Sequence, residues 1–237
     1  ACLDKARQIG AIPVKKTDQA LVAYLTRDEV RAVLAAPDPR SRAGTRDRAM
    51  LHLAFAGGLR VSELLALRLD RVRCVDQPSV HVVGKGRRER ELPLWRETAA
   101  TINAWIAIRP PTSASVLFLN ATGRPMTRSG FEYILAKYVA IAAATCPTLT
   151  QKRVTPHVLR HTCAMHILQA TRDVRQVSLW LGHASLQSTE VYLRADPTEK
   201  LATLAASESP PLAPGRFTAP DKLLAMLKDM GHPDYAE

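Results

Sequence analysis

Only four cysteines occur in 237 residues, Cys2, Cys74, Cys146 and Cys163, and no two form a Cys-x-x-Cys pair. That scatter excludes a disulfide framework and a zinc ribbon, and it fits reduced thiols in a cytosolic protein. No apolar run approaches the length of a membrane span, no signal-peptide pattern is present, and no internal repeat is visible. The phosphate-cradling word Gly-x-x-x-x-Gly-Lys-Ser/Thr is also missing, so no nucleotide-binding P-loop is expected. Most informative is a missing carboxylate. The stretch "TPHVLRHTCAMH", residues 155–166, sets His157 and His161 on one helical face with Arg160 between them and no acid in the motif. A zinc-hydrolase helix needs a Glu beside its first ligand as general base, and a fixed cation repels a divalent ion. No metal and no cofactor are expected.

What is abundant is positive charge. Lys and Arg number 33 against 22 Asp and Glu, a net +11, in a chain with the 46% hydrophobic and 23% charged content of a globular domain. An excess of that size favours a polyanionic partner, nucleic acid first and an anionic membrane surface second. The length allows one large domain or two small ones. Residues 1–20 are polar and Lys/Arg-bearing and read as a linker, so the chain is expected to be a piece of something longer. From residue 21 to 205 helical patterns dominate. "LTRDEVRAVLAA" carries a capping box of Thr26 and Glu29. "TRDRAMLHLAFAGG" is stopped by Gly57-Gly58, and "SELLALRL" starts with Ser62 as its expected cap. "SVHVVGKGRRERELPL" changes to a two-residue period and predicts a hairpin, with a third strand near 72–75. Helices return at "ETAATINAWIAI", at "SGFEYILAKYVAIAAA", at Thr155-Pro156, at "DVRQVSLWLGH" and at "SLQSTEVYLRA". The fold class is therefore α+β, mainly α-helical, with a small antiparallel β-sheet. Residues 206–220 form a Pro/Ser-rich tether, and 221–231 an amphipathic helix that must dock on its own domain or on a neighbour.

The candidate functional residues bind anions. His157 and Arg160 stand i, i+3 and can both donate hydrogen bonds. Arg60 falls between a glycine helix stop and a helix start, where backbone amides and a guanidinium favour a phosphate; pairing with Glu63 is its plain alternative. Lys85 sits in a Gly-Lys-Gly turn, with Arg87, Arg88 and Arg90 beside it as a basic patch able to track a nucleic-acid backbone. His183 follows the Gly182 helix stop, and Tyr192 lies nine residues on.

The order Arg60, Lys85, His157-x-x-Arg160, Leu-Gly-His183, Tyr192 resembles the catalytic domain of the tyrosine recombinases, the phage-integrase family. The words "GGLRVSELLAL", "GKGRRERELPL", "TPHVLRHTCAMHIL" and "WLGHASLQSTEVY" carry the likeness. The resemblance implies a site-specific DNA recombinase in which the Tyr192 hydroxyl attacks a DNA phosphate and forms a 3′-phosphotyrosyl link. In that scheme His157 is the general base, Arg60, Arg160 and His183 hold the non-bridging oxygens, and Lys85 protonates the departing 5′-oxygen. Glu63 matches an acidic position of the family and orients the basic groups; His161 reads as a structural residue or one that supports the site from behind. It further implies double-stranded DNA as partner, a tetramer on two DNA sites with exchange of the C-terminal helix, no membrane and a bacterial cytoplasmic location. The family's N-terminal DNA-clamping domain has no counterpart before Leu21. A type IB topoisomerase and a catalytically inactive DNA-binding regulator are the rival readings.

Overall fold

The computed structural model describes residues 23–84, 89–182, Thr189 and Tyr192. Lys85, Arg87, Arg88 and His183, the 1–20 linker, the 206–220 tether and the 221–231 helix lie outside the described residues.

Helix α1, Arg27–Ala35, begins at the capping box that the sequence predicts: the Thr26 hydroxyl accepts from the Glu29 amide at 3.3 Å while the Glu29 carboxylate accepts from the Thr26 amide at 2.8 Å. Glu29 is buried and also holds Lys152 at 2.7 Å, which fastens α1 to the segment leading into the helix that starts at Pro156. Helix α2, Arg42–Ala56, starts earlier than its apolar run, because Ser41 caps it through the Gly44 amide. Met50, Leu51, Leu53 and Ala54 are all buried, so α2 is covered on several sides. It packs against α4 (Arg96–Ile108) and α6 (Pro156–Thr171), and that makes it the central element.

Helix α3, Val61–Ala66, differs from expectation at its start. Its cap is Arg60 rather than Ser62, because Glu63 at the third helical position accepts the Arg60 amide at 3.0 Å. Strands β1 (Val72–Arg73), β2 (Ser79–Val83) and β3 (Glu89–Pro93) form one antiparallel sheet in sequence order. Val80 pairs with Leu92 and Val82 with Arg90, and Val80, Val82 and Leu92 are buried. By the two-residue period, Arg90 therefore shares the inward face with Leu92.

Helix α5, Arg128–Ala142, is capped by Thr127, and α6 by Thr155 with Pro156 at its first position, as expected. Helix α7, Val174–Leu181, starts at Asp173 and ends at Gly182, whose φ of +63° gives the left-handed turn that stops it. Buried polar groups along the way find partners: Trp105 Nε1 donates to the Leu117 carbonyl at 2.9 Å, and the Tyr138 hydroxyl donates to Asp47 at 3.0 Å. No helix among the described residues is long and apolar enough to cross a membrane.

Candidate active site

The site forms where the end of α2, the start of α6 and the end of α7 meet. Gly58 makes the meeting possible. Its φ is +53°, and a Cβ there would lie 2.6 Å from the Leu181 side chain and 3.1 Å from the Cys163 sulfur. A glycine lets α2 stop directly against α6 and α7. It also leaves the Gly58 carbonyl facing Arg160 of α6, which donates to it through Nη1 and to the Leu181 carbonyl through Nη2 at 2.9 Å. Arg160 is 5% exposed. Burial, and then repulsion from Arg60, bring its pKa down to about 10, so the guanidinium still carries its charge at neutral pH.

Glu63 sits among the cations. It is buried, accepts from the Arg60 amide at 3.0 Å and from Arg60 Nη1 at 2.9 Å, and receives Arg90 Nη1 and Nη2 at 3.2 and 2.8 Å. Arg160 Nη1 lies 4.0 Å from it. Burial alone would raise its carboxyl, but the hydrogen bonds of Arg90 and Arg60 and the charge of Arg90 prevail and hold it below the ordinary carboxylate value. A carboxylate depressed in the fold stabilises above its unfolded pKa, and that contribution disappears as pH falls through the folded one. Glu63→Gln should therefore cost about 3 kcal/mol at neutral pH, since it leaves two guanidiniums under-compensated. It should also flatten the loss of stability below pH 4.5, the carboxyl's ordinary value. Urea midpoints measured against pH check both effects; parallel acid limbs for the two proteins would count against this account.

His157 is exposed at the start of α6, and with Arg60 and Arg160 it lines an open cleft of about 620 Å³. Arg128 and Glu132 of α5 line the same cleft, paired with each other at 2.9 Å. Neither drew notice in the sequence; the only signal for Arg128 is its place in the first turn of a Thr-capped helix. His161 stands one turn deeper than His157, with ring centroids 6.4 Å apart, and its Nδ1 lies 2.8 Å from the Tyr192 hydroxyl. Burial, then His157 and Arg160, lower the pKa of His161, which favours a neutral ring beside the phenol. Tyr192 is 2% exposed and packs with Ala164, Met165, Leu168, Val177 and Leu181. Burial, the largest influence, raises its pKa against the pull of Arg160. In this state the nucleophile candidate is a neutral hydroxyl.

Of the residues singled out in the sequence, the structure brings Arg60, Glu63, Arg90, His157, Arg160, His161 and Tyr192 to one region. Two of them stand differently from expectation. His161, expected to support the site from behind, directly contacts the Tyr192 hydroxyl, because the tyrosine packs against the second turn of α6 rather than the first. Arg90, expected in a backbone-tracking patch with Arg87 and Arg88, has a side chain only 11% exposed and spends its donors on Glu63 and on the Trp180 carbonyl. Pleat direction is the cause, since β3 turns this residue inward.

The cluster, cations around one carboxylate with a phenol beside an imidazole, is chemically a site for a phosphate ester and a hydroxyl nucleophile. Residues 23–199 match the family model described as the Phage integrase family. A Sinorhizobium fredii chain named as an integrase/recombinase, y4rC, is 40% identical over 224 residues, covering 94% of this chain and 68% of the relative. The tyrosine recombinase XerD of Vibrio vulnificus is 36% identical over 200 residues, 82% of this chain and 63% of that one. This chain thus spans about two thirds of the length of such relatives. Among solved structures, the XerA recombinase superposes with a TM-score of 0.67 at 25% identity, over 80% of this chain and 68% of that one. XerH bound to its palindromic difH substrate shares the fold, with a TM-score of 0.68 at 22% identity over 82% of this chain and 56% of that one. The chain belongs to the phage integrase family and is a tyrosine recombinase catalytic domain.

Proposed function

We propose that the protein is a site-specific DNA recombinase that cleaves and rejoins double-stranded DNA through a 3′-phosphotyrosyl intermediate. One observation carries the reading: the Tyr192 hydroxyl sits 2.8 Å from a histidine, on the helix that supplies Arg160 to the same cleft as Arg60 and His157. Arg60 and Arg160 clamp the non-bridging oxygens of the scissile phosphate. The Tyr192 oxygen attacks phosphorus, its proton passing to a histidine of α6; His157 at the cleft and His161 at the hydroxyl are the two acceptors. The bond from phosphorus to the 5′-oxygen breaks, and Lys85 protonates the departing oxygen. His183 adds a donor to the phosphate, and Arg87 and Arg88 hold the DNA backbone. A 5′-hydroxyl from a partner duplex later attacks the phosphotyrosine, so the bond energy is conserved in the protein–DNA link and no nucleotide hydrolysis is needed. The protein acts as a tetramer on two sites, with residues 221–231 docking on the neighbouring subunit. The net charge of +11 and the DNA-bound complex of the XerH relative support the DNA partner.

The test is a nicked duplex that traps the covalent intermediate because the short strand beyond the nick diffuses away. Genomic fragments selected by trapping supply the sequence. The expected product is a DNA adduct on the tryptic peptide containing Tyr192, together with exchange between two linear substrates. Relaxation of supercoils without exchange would instead indicate a topoisomerase, and DNA binding with no adduct a regulator.

A further inference from the structure

Arg90 lies in a basic stretch, yet its side chain is turned away from solvent. On β3 it pairs across the sheet with the buried Val82 and shares its face with the buried Leu92. Its Nη1 and Nη2 grip the two oxygens of Glu63 at 3.2 and 2.8 Å, and its Nε donates to the Trp180 carbonyl at 3.2 Å. Arg160 takes the very next carbonyl, Leu181, at 2.9 Å. Consecutive carbonyls at the end of α7, left open by the helix, are thus divided between two guanidiniums. Gly182 follows, and a Cβ there would lie 2.9 Å from Arg90 Nη1 and 3.1 Å from its Cδ. The glycine therefore serves two ends, its positive φ and the close approach of this arginine. With its donors engaged this way, Arg90 cannot reach a DNA phosphate without giving up Glu63.

The charges show what that arrangement achieves. Glu63 hydrogen-bonds Arg60 and stands 4.0 Å from Arg160, the two groups that face the phosphate cleft. Left alone, its negative charge would cancel half of theirs. A phosphodiester is singly negative, whereas the phosphorane formed on attack is doubly negative, so a site that gains on the transition state needs a surplus of two positive charges. Among the described residues, Arg60 and Arg160 with Glu63 fall short by one, and a third guanidinium behind Glu63 restores it. We propose that Arg90 is a positioning residue of this phosphate site: it neutralises and holds Glu63, so that Arg60 and Arg160 keep their full charge for the phosphorane. This rests on the recombinase reading and adds a role for a residue that touches neither DNA nor the reacting atoms.

The experiment compares single-turnover cleavage of two nicked duplexes, one with the ordinary scissile phosphate and one with a methylphosphonate there, whose phosphorane carries one negative charge less. Wild type, Arg90→Gln and Arg90→Lys are measured alongside DNA affinity at several salt concentrations and thermal midpoints. Arg90→Gln should slow cleavage of the phosphodiester on the order of 100-fold but that of the methylphosphonate less than about 5-fold, with the salt dependence of binding unchanged. Arg90→Lys, which keeps the charge and loses the fork, should recover to within about 10-fold of wild type. Equal losses on the two substrates would reduce Arg90 to a structural tie and overturn the proposal. So would a salt slope lowered by about one, the mark of a lost phosphate contact. Should the Gln variant fail to fold, the Lys variant decides by the size of its loss: phosphodiester cleavage within about 10-fold of wild type supports the proposal, and a greater loss with the charge retained overturns it. Wild type without any adduct overturns the recombinase reading itself, an outcome separate from both.

Discussion

Tyr192→Phe should bind DNA as wild type does and form no covalent adduct, a loss of more than about 10⁴-fold in cleavage, because the substitution removes the only atom that attacks phosphorus in the proposed scheme. The structure makes this variant a clean one. Tyr192 is 2% exposed, and its ring packs among Ala164, Met165, Leu168, Val177 and Leu181, all of which a phenylalanine ring would still touch. Among the described residues, what the hydroxyl gives up is its contact with His161 Nδ1 at 2.8 Å. Losing one such hydrogen bond costs about 1 kcal/mol, too little to unfold a domain of this size. Gel analysis of a denatured trapping reaction, beside a urea midpoint, separates the two effects. An undiminished adduct from the variant would show that another nucleophile operates and would defeat the proposed mechanism.

How much of this could be read from the sequence depends on the range over which each feature is determined. Local features were legible: the Thr26–Glu29 capping box, the Thr155-Pro156 helix start, the glycine stops and the antiparallel hairpin all depend on neighbours within a few residues. Arg60, His157, Arg160 and Tyr192 were legible as words that resemble a family's motifs, and not by geometry. The sequence groups Arg90 with a surface patch, whereas the pleat turns it inward: "RERELPL" places Leu92 inward, and two residues back along the strand Arg90 follows it. The contact of His161 is hidden for a different reason. Its spacing from His157 says that both share a face of α6, but nothing local says which turn Tyr192 packs against. The Arg128–Glu132 wall of the cleft is tertiary as well, since α5 reaches the site only through the packing of the whole domain.

Arg160 joins the fold to the chemistry, and Arg160→Ala should separate the two contributions. On the structural side, the substitution strands the Gly58 and Leu181 carbonyls, each of which now receives one of its guanidinium nitrogens. Two unsatisfied buried acceptors cost about 1–3 kcal/mol each. Working against that loss, removing the side chain relieves a buried cation of its desolvation and of repulsion from Arg60 and Arg90, the influences that bring its pKa to about 10. Water entering the vacated space would give the two carbonyls new partners. The opposing contributions leave a net destabilisation of about 2 kcal/mol, and the variant stays folded at room temperature. No such compensation exists on the catalytic side. A fixed donor aimed at a developing oxyanion contributes roughly 10²–10³ in rate, and here the same deletion also removes one unit of the positive charge around Glu63. Cleavage should therefore fall roughly 10³-fold or more while the urea midpoint moves only modestly. Arg160→Lys should remain slow, because a single ammonium cannot reach two carbonyls and a phosphate oxygen together. Cleavage within tenfold of wild type by either variant, with the fold retained, would mean that the phosphate does not lie against Arg160.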